Sequence, residues 1–389
     1  MKKFSILLIC VLAFQISTAQ DRVITTGVPF LLVAADARSA GLADQGVATS
    51  PDAYSQQYNP AKYAFALDKQ GVAISYTPYL TDLVNDISLG QLNYYNRFNE
   101  RMAFAGSLRY FGLGEIELRQ NFDDTPNIVK PNELAVDLSY ALQLSTSFSM
   151  SVGGRYIRSN LRIPDGTGDA KPASSFAVDV SGYYQSEEVA YSDFNGRYRL
   201  GFNFQNLGPK IKYDAGAGDD NANFLPANMR LGGGFDFIFD EYNKVSVGLE
   251  LTKLLVPTPQ DPDLNGDGTI TAEERAENNE NYRKIGWVSG IFKSFNDAPD
   301  GFAEEMKEFT YSAGAEYLYQ DSFAFRLGYF SEHETKGARK FFSLGAGFKY
   351  NVVKVDVSYL FSASQVKNPL ENTLRFSLTF NFGEKYEQY

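Results

Sequence analysis

The chain has 389 residues, a formal net charge of −11, one cysteine, 31 phenylalanines and 25 tyrosines. The acidic balance argues against nucleic acid as a partner, because phosphate backbones attract clustered lysine and arginine. The one cysteine is Cys10, in a segment predicted to be removed, so disulfides and thiolate metal sites are excluded from the mature chain. Abundant phenylalanine and tyrosine favour strands with a membrane-facing surface.

The first residues predict export from the cytoplasm. Lys2 and Lys3 precede an apolar run from Phe4 to Phe14, and residues 17–19 read Ser-Thr-Ala, which resembles a cleavage site. Residues 1–19 are therefore predicted to be a signal peptide. No later stretch offers the roughly 18 uninterrupted apolar residues that a spanning helix needs.

Residues 20–70 lack the strand pattern that dominates the rest of the chain. This segment is rich in small residues and predicts coil with short helices, beginning at Leu31–Gly41. Its place before the first strand leaves two alternatives open, a plug inside a barrel and a periplasmic extension.

Alternating apolar and polar residues recur through residues 71–382. The last segment, Leu374 to Phe382, has an apolar residue at every even position and a polar residue at every odd one. Successive side chains of a strand point to opposite faces, so one face is predicted to meet lipid and the other, with Arg375, the lumen. This strand is expected to pair with the first strand near Val72. The same period of two recurs in about 14 segments, often with full charges on the polar face.

The connections between these segments alternate between short and long. The long ones include residues 253–308, and one turn of intermediate length, at about 185–196, falls where a short one is expected. Tight turns on one side and long loops on the other are typical of outer-membrane barrels. The sequence thus predicts an all-β transmembrane antiparallel barrel of about 14 strands, with extracellular long loops and a C-terminal tail at 383–389. The alternative is a secreted β-sandwich, which also has one polar face.

Residues 37–61 carry an ordered set of short motifs. They are Ala37–Ala43 (Ala-Arg-Ser-Ala-Gly-Leu-Ala), Gly46–Ala48 (Gly-Val-Ala), Ser50–Ala53 (Ser-Pro-Asp-Ala) and Tyr58–Ala61 (Tyr-Asn-Pro-Ala). The set resembles the opening of FadL-like outer-membrane barrels. In that superfamily Asn-Pro-Ala is commonly followed by glycine, whereas this chain has Lys62, so it is not a close fatty-acid transporter. The whole chain most resembles the PorV family of the type IX secretion system.

The resemblance implies a non-enzymatic role in protein secretion. PorV-like proteins bind secreted cargo through its C-terminal signal domain, collect it at a large translocon barrel and deliver it to the cell-surface attachment machinery. The implied partners are therefore secreted proteins with a C-terminal sorting domain, the translocon barrel, the attachment complex and outer-membrane lipid. A FadL-type channel for small hydrophobic molecules is the main alternative. A lipid-A-modifying esterase is disfavoured, because the one histidine, His333, lies beside Glu332 and Glu334 in an outer loop.

One local motif predicts a calcium site in the long loop. Residues 263–274 match the 12-residue EF-hand loop, in which oxygen ligands alternate along the chain and Gly268 makes the sharp turn. The predicted ligands are, in chain order, Asp263, Asn265, Asp267, the backbone carbonyl of Thr269, Thr271 through a water and Glu274. Three prolines before the motif argue against an incoming helix, and a following helix is expected from Ala272 to about Asn281. An acidic loop that never binds an ion is the alternative.

Overall fold

The computed structural model describes residues 22–81, 84–119, 121, 123, 125–161, 171–213, 222–364 and 369–386. Fourteen antiparallel strands form a closed barrel in which every strand pairs with its neighbours in sequence and the first pairs with the last. In chain order they are β1 Asp68–Pro78, β2 Ile87–Arg97, β3 Met102–Leu113, β4 Asn132–Gln143, β5 Phe148–Asn160, β6 Ala173–Gln185, β7 Asn195–Leu207, β8 Asn228–Ile238, β9 Asn243–Leu254, β10 Thr310–Tyr319, β11 Phe323–Ser331, β12 Lys340–Tyr350, β13 Val353–Ser362 and β14 Leu374–Lys385. The predicted signal peptide lies outside the described residues.

The alternation of side chains explains the barrel. On β14, Leu374 and Phe376 are each 49% exposed on the outer face, whereas Arg375 and Ser377 are 1% and 2% exposed on the inner one. Apolar outer faces match a hydrocarbon surrounding, and polar inner faces require partners inside the lumen. The predicted orientation of the last strand is confirmed.

The seam between β1 and β14 closes the ring. Val72 lies opposite Phe380, as the sequence predicts, and the pairing extends to Asp68 opposite Lys385 across a bulge. The sequence predicts a barrel from residue 71 to residue 382, whereas the paired strands run from Asp68 to Lys385, three residues more at each end. The alternation of apolar side chains stops at Phe382, but backbone pairing does not depend on it.

The connections follow the predicted alternation of short and long. Turns such as 320–322 and 351–352 are short, and the longest connection, residues 255–309, is called the long outer loop below. The turn of intermediate length contains a two-residue strand, Val189–Ala190, that pairs back onto the start of β7. Two further pairs of short strands lie in long connections, Ile116–Leu118 with Asn127–Val129 and Ile211–Lys212 with Ala222–Asn223.

The helices are short, and none of those in the described residues forms part of the barrel wall. They are α1 Ala37–Gly41, α2 Ser55–Tyr58, α3 Ala272–Lys284, α4 Trp287–Lys293 and α5 Phe302–Glu305, with 3-10 helices at Pro29–Leu32, Pro60–Phe65 and Met306–Glu308. None of the helices in the described part of the chain is long and apolar enough to cross a membrane. Helix α3 begins at the expected residue, because Thr271 and Glu274 form a capping box, and it continues three residues beyond the expected end.

Candidate functional site: the plugged lumen and the long outer loop

Residues 22–67, here called the plug, run through the barrel from one end to the other. At the first end, the guanidinium of Arg22 lies 3.0 Å from the carboxylate of Glu304 in the long outer loop. At the second end, the Leu67 carbonyl accepts a hydrogen bond from the backbone N–H of Tyr386, just after β14. Of the two alternatives for the N-terminal segment, the described residues show the plug.

Buried ion pairs fix the centre of the plug to the wall. The Arg38 guanidinium lies 2.9 Å from the carboxylate of Glu316 on β10 and 2.6 Å from that of Asp52 in the plug. Arg326 on β11 pairs with the same Glu316 at 2.6 Å and with Asp356 on β13 at 2.8 Å. Because these side chains are shielded from water, each charge depends on its partners for compensation. Arg38, a residue of the ordered N-terminal motifs, is thus a principal anchor of the plug.

Other wall side chains bind the backbone of the plug. Glu250 on β9 accepts hydrogen bonds from the N–H groups of Gly46 and Val47, at 2.8 and 3.0 Å, and pairs with Arg230. Arg109 on β3 donates to three plug carbonyls, those of Phe30, Leu31 and Val33. Irregular backbone inside a barrel needs such partners, because its polar groups are removed from water.

Glycines in the wall let the plug approach closely. Four of them lie directly opposite one another across neighbouring strands and are called the glycine row. The glycine row consists of Gly234 on β8, Gly248 on β9, Gly314 on β10 and Gly328 on β11. A Cβ added to Gly328 would lie 2.4 Å from the backbone nitrogen of Ala43, and one added to Gly201 on β7 would lie 2.1 Å from the Val47 carbonyl oxygen. Glycine within a strand is typical where another backbone comes close.

The Asn-Pro-Ala motif stabilises the end of the plug. The Asn59 side chain caps the following 3-10 helix by accepting a hydrogen bond from the Ala61 N–H. Its amide nitrogen donates to the carbonyls of Val47 in the plug and Gly182 on β6, at 2.8 and 2.9 Å. Asn59 therefore ties two parts of the plug to each other and to the wall.

Lys62, which departs from the superfamily pattern, has a structural role. Its side chain is buried, and its ammonium group donates to the Gly46 carbonyl at 2.8 Å and to the Thr49 hydroxyl at 2.9 Å. A glycine at this position has no side chain to make these bonds. The sequence identified Lys62 only as a mismatch, since its partners lie at least 13 residues away in the chain.

A second set of buried ion pairs, here called the clamp, holds the base of the long outer loop. Lys253 at the end of β9 pairs with Glu305 and Glu308, at 3.1 and 2.5 Å. Lys336, between β11 and β12, pairs with Glu304 and Glu308, at 2.7 and 3.1 Å. Burial alone would raise the pKa of Glu304, but hydrogen bonds, the strongest from Lys336, lower it to about 2. The clamp is not predictable from the sequence pattern, because its members come from separate segments of the chain.

The long outer loop also exposes large apolar side chains. Around α4, Val288, Phe292 and Phe295 are 49%, 74% and 46% exposed, and we call these three the helix patch. Closer to β10, Phe302 and Met306 are 77% and 42% exposed, and we call them the rim pair. Clusters of exposed large apolar residues commonly mark interaction surfaces.

A cavity of 490 Å³ lies at the outer end of the lumen. Its lining mixes apolar side chains, among them Val23, Leu32, Tyr79, Phe330 and Leu370, with the charged groups of Asp44, Arg230, Glu332 and Arg339. The plug itself contributes Asp44 and Leu32 to this lining. The cavity suits a small amphipathic molecule, as binding pockets are commonly apolar with a few polar groups.

The predicted calcium ligands lie in an exposed turn of the long outer loop. Asp263 accepts hydrogen bonds from the N–H groups of Gly266 and Gly268, and both glycines have positive φ, 73° and 79°. One carboxylate oxygen of Glu274 accepts a hydrogen bond from the backbone N–H of Thr271. The other oxygen, Oε1, has no hydrogen-bond partner. Within the described residues, no group of three or more His, Cys, Asp or Glu side chains is gathered as a metal site.

The remaining predicted ligands bond within the turn or lie close to it. The Asn265 side chain accepts a hydrogen bond from the N–H of Asp267, whose carboxylate accepts one from the N–H of Thr269.

His333, the residue weighed for catalysis, is exposed, and its Nδ1 lies 3.0 Å from the Thr335 hydroxyl, two residues further on. This contact and the hydrogen bond from the Thr335 N–H to the same nitrogen both lie within one turn.

Several solved structures share the fold. The Pseudomonas putida toluene transporter TodX is 11% identical, the match covers 91% of this chain and 100% of that one, and the TM-score is 0.51. A TodX deltaS2S3 mutant, described as a monoaromatic hydrocarbon channel, is 12% identical over 89% of this chain and 99% of that one, also with a TM-score of 0.51. A Pseudomonas aeruginosa FadL homologue is 12% identical over 90% and 99%, with a TM-score of 0.48. At these identities the likeness concerns the fold alone.

The sequence itself places the chain in a family. No curated protein sequence matches it. Residues 16–261, more than half of the chain, match the family model described as type IX secretion system protein PorV. The chain therefore belongs to the PorV family of the type IX secretion system, whose members are outer-membrane β-barrels without enzymatic activity.

Proposed function

We propose that this protein binds the C-terminal signal domain of secreted cargo at the translocon and delivers the cargo to the cell-surface attachment machinery. The observation that carries the proposal is the combination of a lumen filled by the plug and apolar side chains displayed on the long outer loop. A barrel whose interior is occupied by its own chain has to bind a folded protein domain on its outside.

The helix patch is the surface that we assign to cargo. Its residues protrude from a loop with 12 acidic and five basic residues, a composition that keeps the surroundings soluble. Aromatic anchors in a polar surrounding are the arrangement in which a few residues carry most of the binding energy.

Binding to an immobilised cargo signal domain tests this assignment. Phe292→Asp is expected to weaken binding of the purified full-length protein at least about tenfold, because it places a charge at the centre of the contact. Ile128→Asp is the control, since Ile128 is an exposed apolar residue, 50% against 74% for Phe292, that lies in another outer loop. Equal affinities for both variants and the unaltered protein would remove the helix patch from the proposal.

A channel for small hydrophobic molecules is the second candidate, and the 490 Å³ cavity favours it. Gene deletion separates the two functions. Loss of cargo secretion with unchanged fatty-acid uptake supports the carrier, whereas intact secretion with loss of uptake supports the channel.

We also propose that the loop at 263–274 binds Ca²⁺. The support is the complete set of oxygen ligands at EF-hand spacing, the two turn glycines and the unpartnered Oε1 of Glu274. Asp263, Asn265, Asp267 and Glu274 would hold the ion through side chains, with Thr269 through its carbonyl and Thr271 through water. The ion would order a loop and take no part in a reaction.

Calorimetry with CaCl₂ on the refolded barrel tests the calcium proposal. We expect binding in the weak range of extracellular modules, a Kd of roughly 10⁻⁴–10⁻³ M. Glu274→Gln is expected to abolish it, because it removes the charge that closes the site, whereas Glu280→Gln on the same helix should have no effect. Absence of binding to the unaltered protein, or equal binding by both variants, would contradict the proposal.

A further inference from the structure

A cavity of 610 Å³ lies at the end of the barrel opposite the long outer loop. Its lining comes from the short turns after β2 and β4, the last residues of the plug and the end of β14. We call it the periplasmic pocket, because the short connections of such barrels face the periplasm. Arg97 on β2 and Gln185 on β6 line it from buried, inward-facing positions, so it belongs to the mouth of the lumen and not to the lipid-facing wall.

Cations outnumber anions in the lining of the periplasmic pocket. Arg97, Arg101 and Lys385 contribute three positive charges, and Glu100 contributes one negative charge. A recess with charges mainly of one sign concentrates ligands of the opposite sign. The pocket therefore favours an anionic ligand.

The two guanidinium groups of the pocket bind only neutral acceptors among the described residues. Arg97 donates to the backbone carbonyls of Ala66 and Glu100, both at 2.7 Å. Arg101 donates from two nitrogens to the carbonyl of Gln143, at 3.2 and 3.1 Å. Arg97 is 6% exposed, and its Nε has no hydrogen-bond partner.

Other buried arginines of the lumen are compensated by carboxylates. Arg326 on β11 pairs with Glu316 and Asp356. A cation removed from water needs such a partner, because its own burial is costly. The carboxylate that Arg97 lacks within the described part of the chain is the kind of group that a ligand can supply.

The periplasmic pocket also has an apolar side. Phe65, Leu144 and Tyr386 contribute to its lining, and Leu144 is 49% exposed. The Arg97 guanidinium lies 4.2 Å from the centre of the Tyr386 ring, whose hydroxyl donates to the Arg97 carbonyl at 2.8 Å. The ring is thus fixed beside the cation, and a ligand can place an apolar group next to its carboxylate.

We propose that the periplasmic pocket binds an acidic peptide segment of a periplasmic protein. Its carboxylates bind Arg97 and Arg101, since a guanidinium matches a carboxylate with two parallel hydrogen bonds. An apolar side chain of the peptide packs against Leu144 and Tyr386. Phospholipid headgroups surround the outside of the ring, and a free phosphate ion makes no use of the apolar side. The inference goes beyond the proposed function, because it concerns the opposite end of the barrel.

Fluorescence anisotropy with a defined peptide tests the proposal. The probe is fluorescein-labelled Glu-Glu-Phe-Glu-Glu, added to the purified full-length protein in a neutral detergent. We expect saturable binding that weakens as salt is added, because the contacts at the mouth are partly exposed to solvent. The double variant Arg101→Gln with Lys385→Gln is expected to weaken binding at least about tenfold. Both positions are exposed, so the barrel should form as before, which heat-modifiable migration on a gel checks.

The control variant is Arg275→Gln with Lys293→Gln. It removes the same number of positive charges from exposed positions in the long outer loop and should leave peptide binding unchanged. Unlabelled Gln-Gln-Phe-Gln-Gln should displace the probe at least about tenfold less well than unlabelled Glu-Glu-Phe-Glu-Glu. Absence of saturable binding, equal loss in the control variant or equal displacement by both peptides would overturn the proposal. Inorganic phosphate or a short-chain phosphatidylglycerol that displaces the probe as well as the acidic peptide does would overturn it too.

The side of the membrane is tested with single-cysteine variants, because the one native cysteine lies at position 10, within the predicted signal peptide. Thr146→Cys lines the pocket, and Phe302→Cys of the rim pair lies in the long outer loop. A membrane-impermeant maleimide added to intact cells is expected to label Phe302→Cys alone, and to label Thr146→Cys once the outer membrane is permeabilised. Labelling of Thr146→Cys in intact cells would contradict a periplasmic ligand.

Cargo binding separates this inference from the proposed function. The double variant at Arg101 and Lys385 should bind the cargo signal domain as the unaltered protein does, since the helix patch is unchanged. Peptide binding without cargo binding would contradict the proposed function alone. Cargo binding without peptide binding would contradict the periplasmic pocket alone.

Discussion

Replacing Arg38 with alanine is expected to loosen the plug and to make the closed barrel leaky. The change removes the cation that joins Glu316 of the wall to Asp52 of the plug, at 2.9 and 2.6 Å. Removing one partner of a buried ion pair typically costs about 3–5 kcal/mol. Because Arg326 still pairs with Glu316, the loss falls mainly on Asp52, and we expect a cost at the lower end of that range. The measurements are the free energy of unfolding in detergent and the conductance of the barrel in planar bilayers.

Arg119→Ala is the matched control for this experiment. Arg119 also pairs with a glutamate, Glu117 at 2.9 Å, but both side chains are about half exposed. Pairs of this kind contribute about 0–1 kcal/mol, so neither stability nor conductance should change measurably. The double variant Arg38→Ala with Glu316→Gln should lose less free energy of unfolding than the two single variants lose together, since both changes act on one contact. If the two losses of free energy add strictly, or if the barrel of Arg38→Ala does not conduct, contacts other than the Arg38 ion pairs hold the plug.

A single methyl group at Gly201 is expected to displace the plug. The Cβ of Gly201→Ala would lie 2.1 Å from the Val47 carbonyl oxygen and 2.8 Å from the carbonyl carbon, and backbone atoms cannot rotate away. Overpacking of this kind typically costs about 1–3 kcal/mol, and here it acts where Asn59 binds the Val47 carbonyl. We expect a lower unfolding temperature and faster cleavage of the plug by a protease added to the purified barrel.

The control for Gly201→Ala is Gly154→Ala on β5. Both glycines lie within membrane strands, but a Cβ on Gly154 meets no atom within 4 Å. Replacing a strand glycine in open space is expected to be neutral or slightly stabilising, because alanine loses less backbone freedom on folding. If Gly154→Ala is as harmful as Gly201→Ala, the effect comes from the strands and not from the plug.

The architecture could be predicted from sequence because it depends on local patterns. The alternation from Leu374 to Phe382 and the order of short and long connections determine which faces meet lipid and which end of the barrel carries the loops. The motif residues of the plug, Arg38 and Asn59, were identified through their resemblance to a superfamily. Their bonds were not predictable, because the partners Glu316 and Gly182 follow 278 and 123 residues later.

The parts that escaped prediction are contacts between distant segments. The clamp joins Lys253 and Lys336 to a short helix, and no pattern in any one of these segments indicates the pairing. The glycine row cannot be recognised from the sequence, because its four glycines lie on four different strands. Only the register of these strands places the glycines side by side. The calcium loop is the opposite case, because its twelve-residue spacing is complete in sequence and remains a prediction.

The plug also determines the order in which this molecule can be built. Residues 22–67 occupy the lumen from end to end, and the strand that follows them, β1, forms the seam with β14. A finished ring has no opening through which the charged plug could later be threaded from the membrane side. We therefore expect the wall to close around the earliest part of its own chain, with the seam joining last. In that order of assembly, the first strand stays unpaired with the fourteenth until the plug is in place.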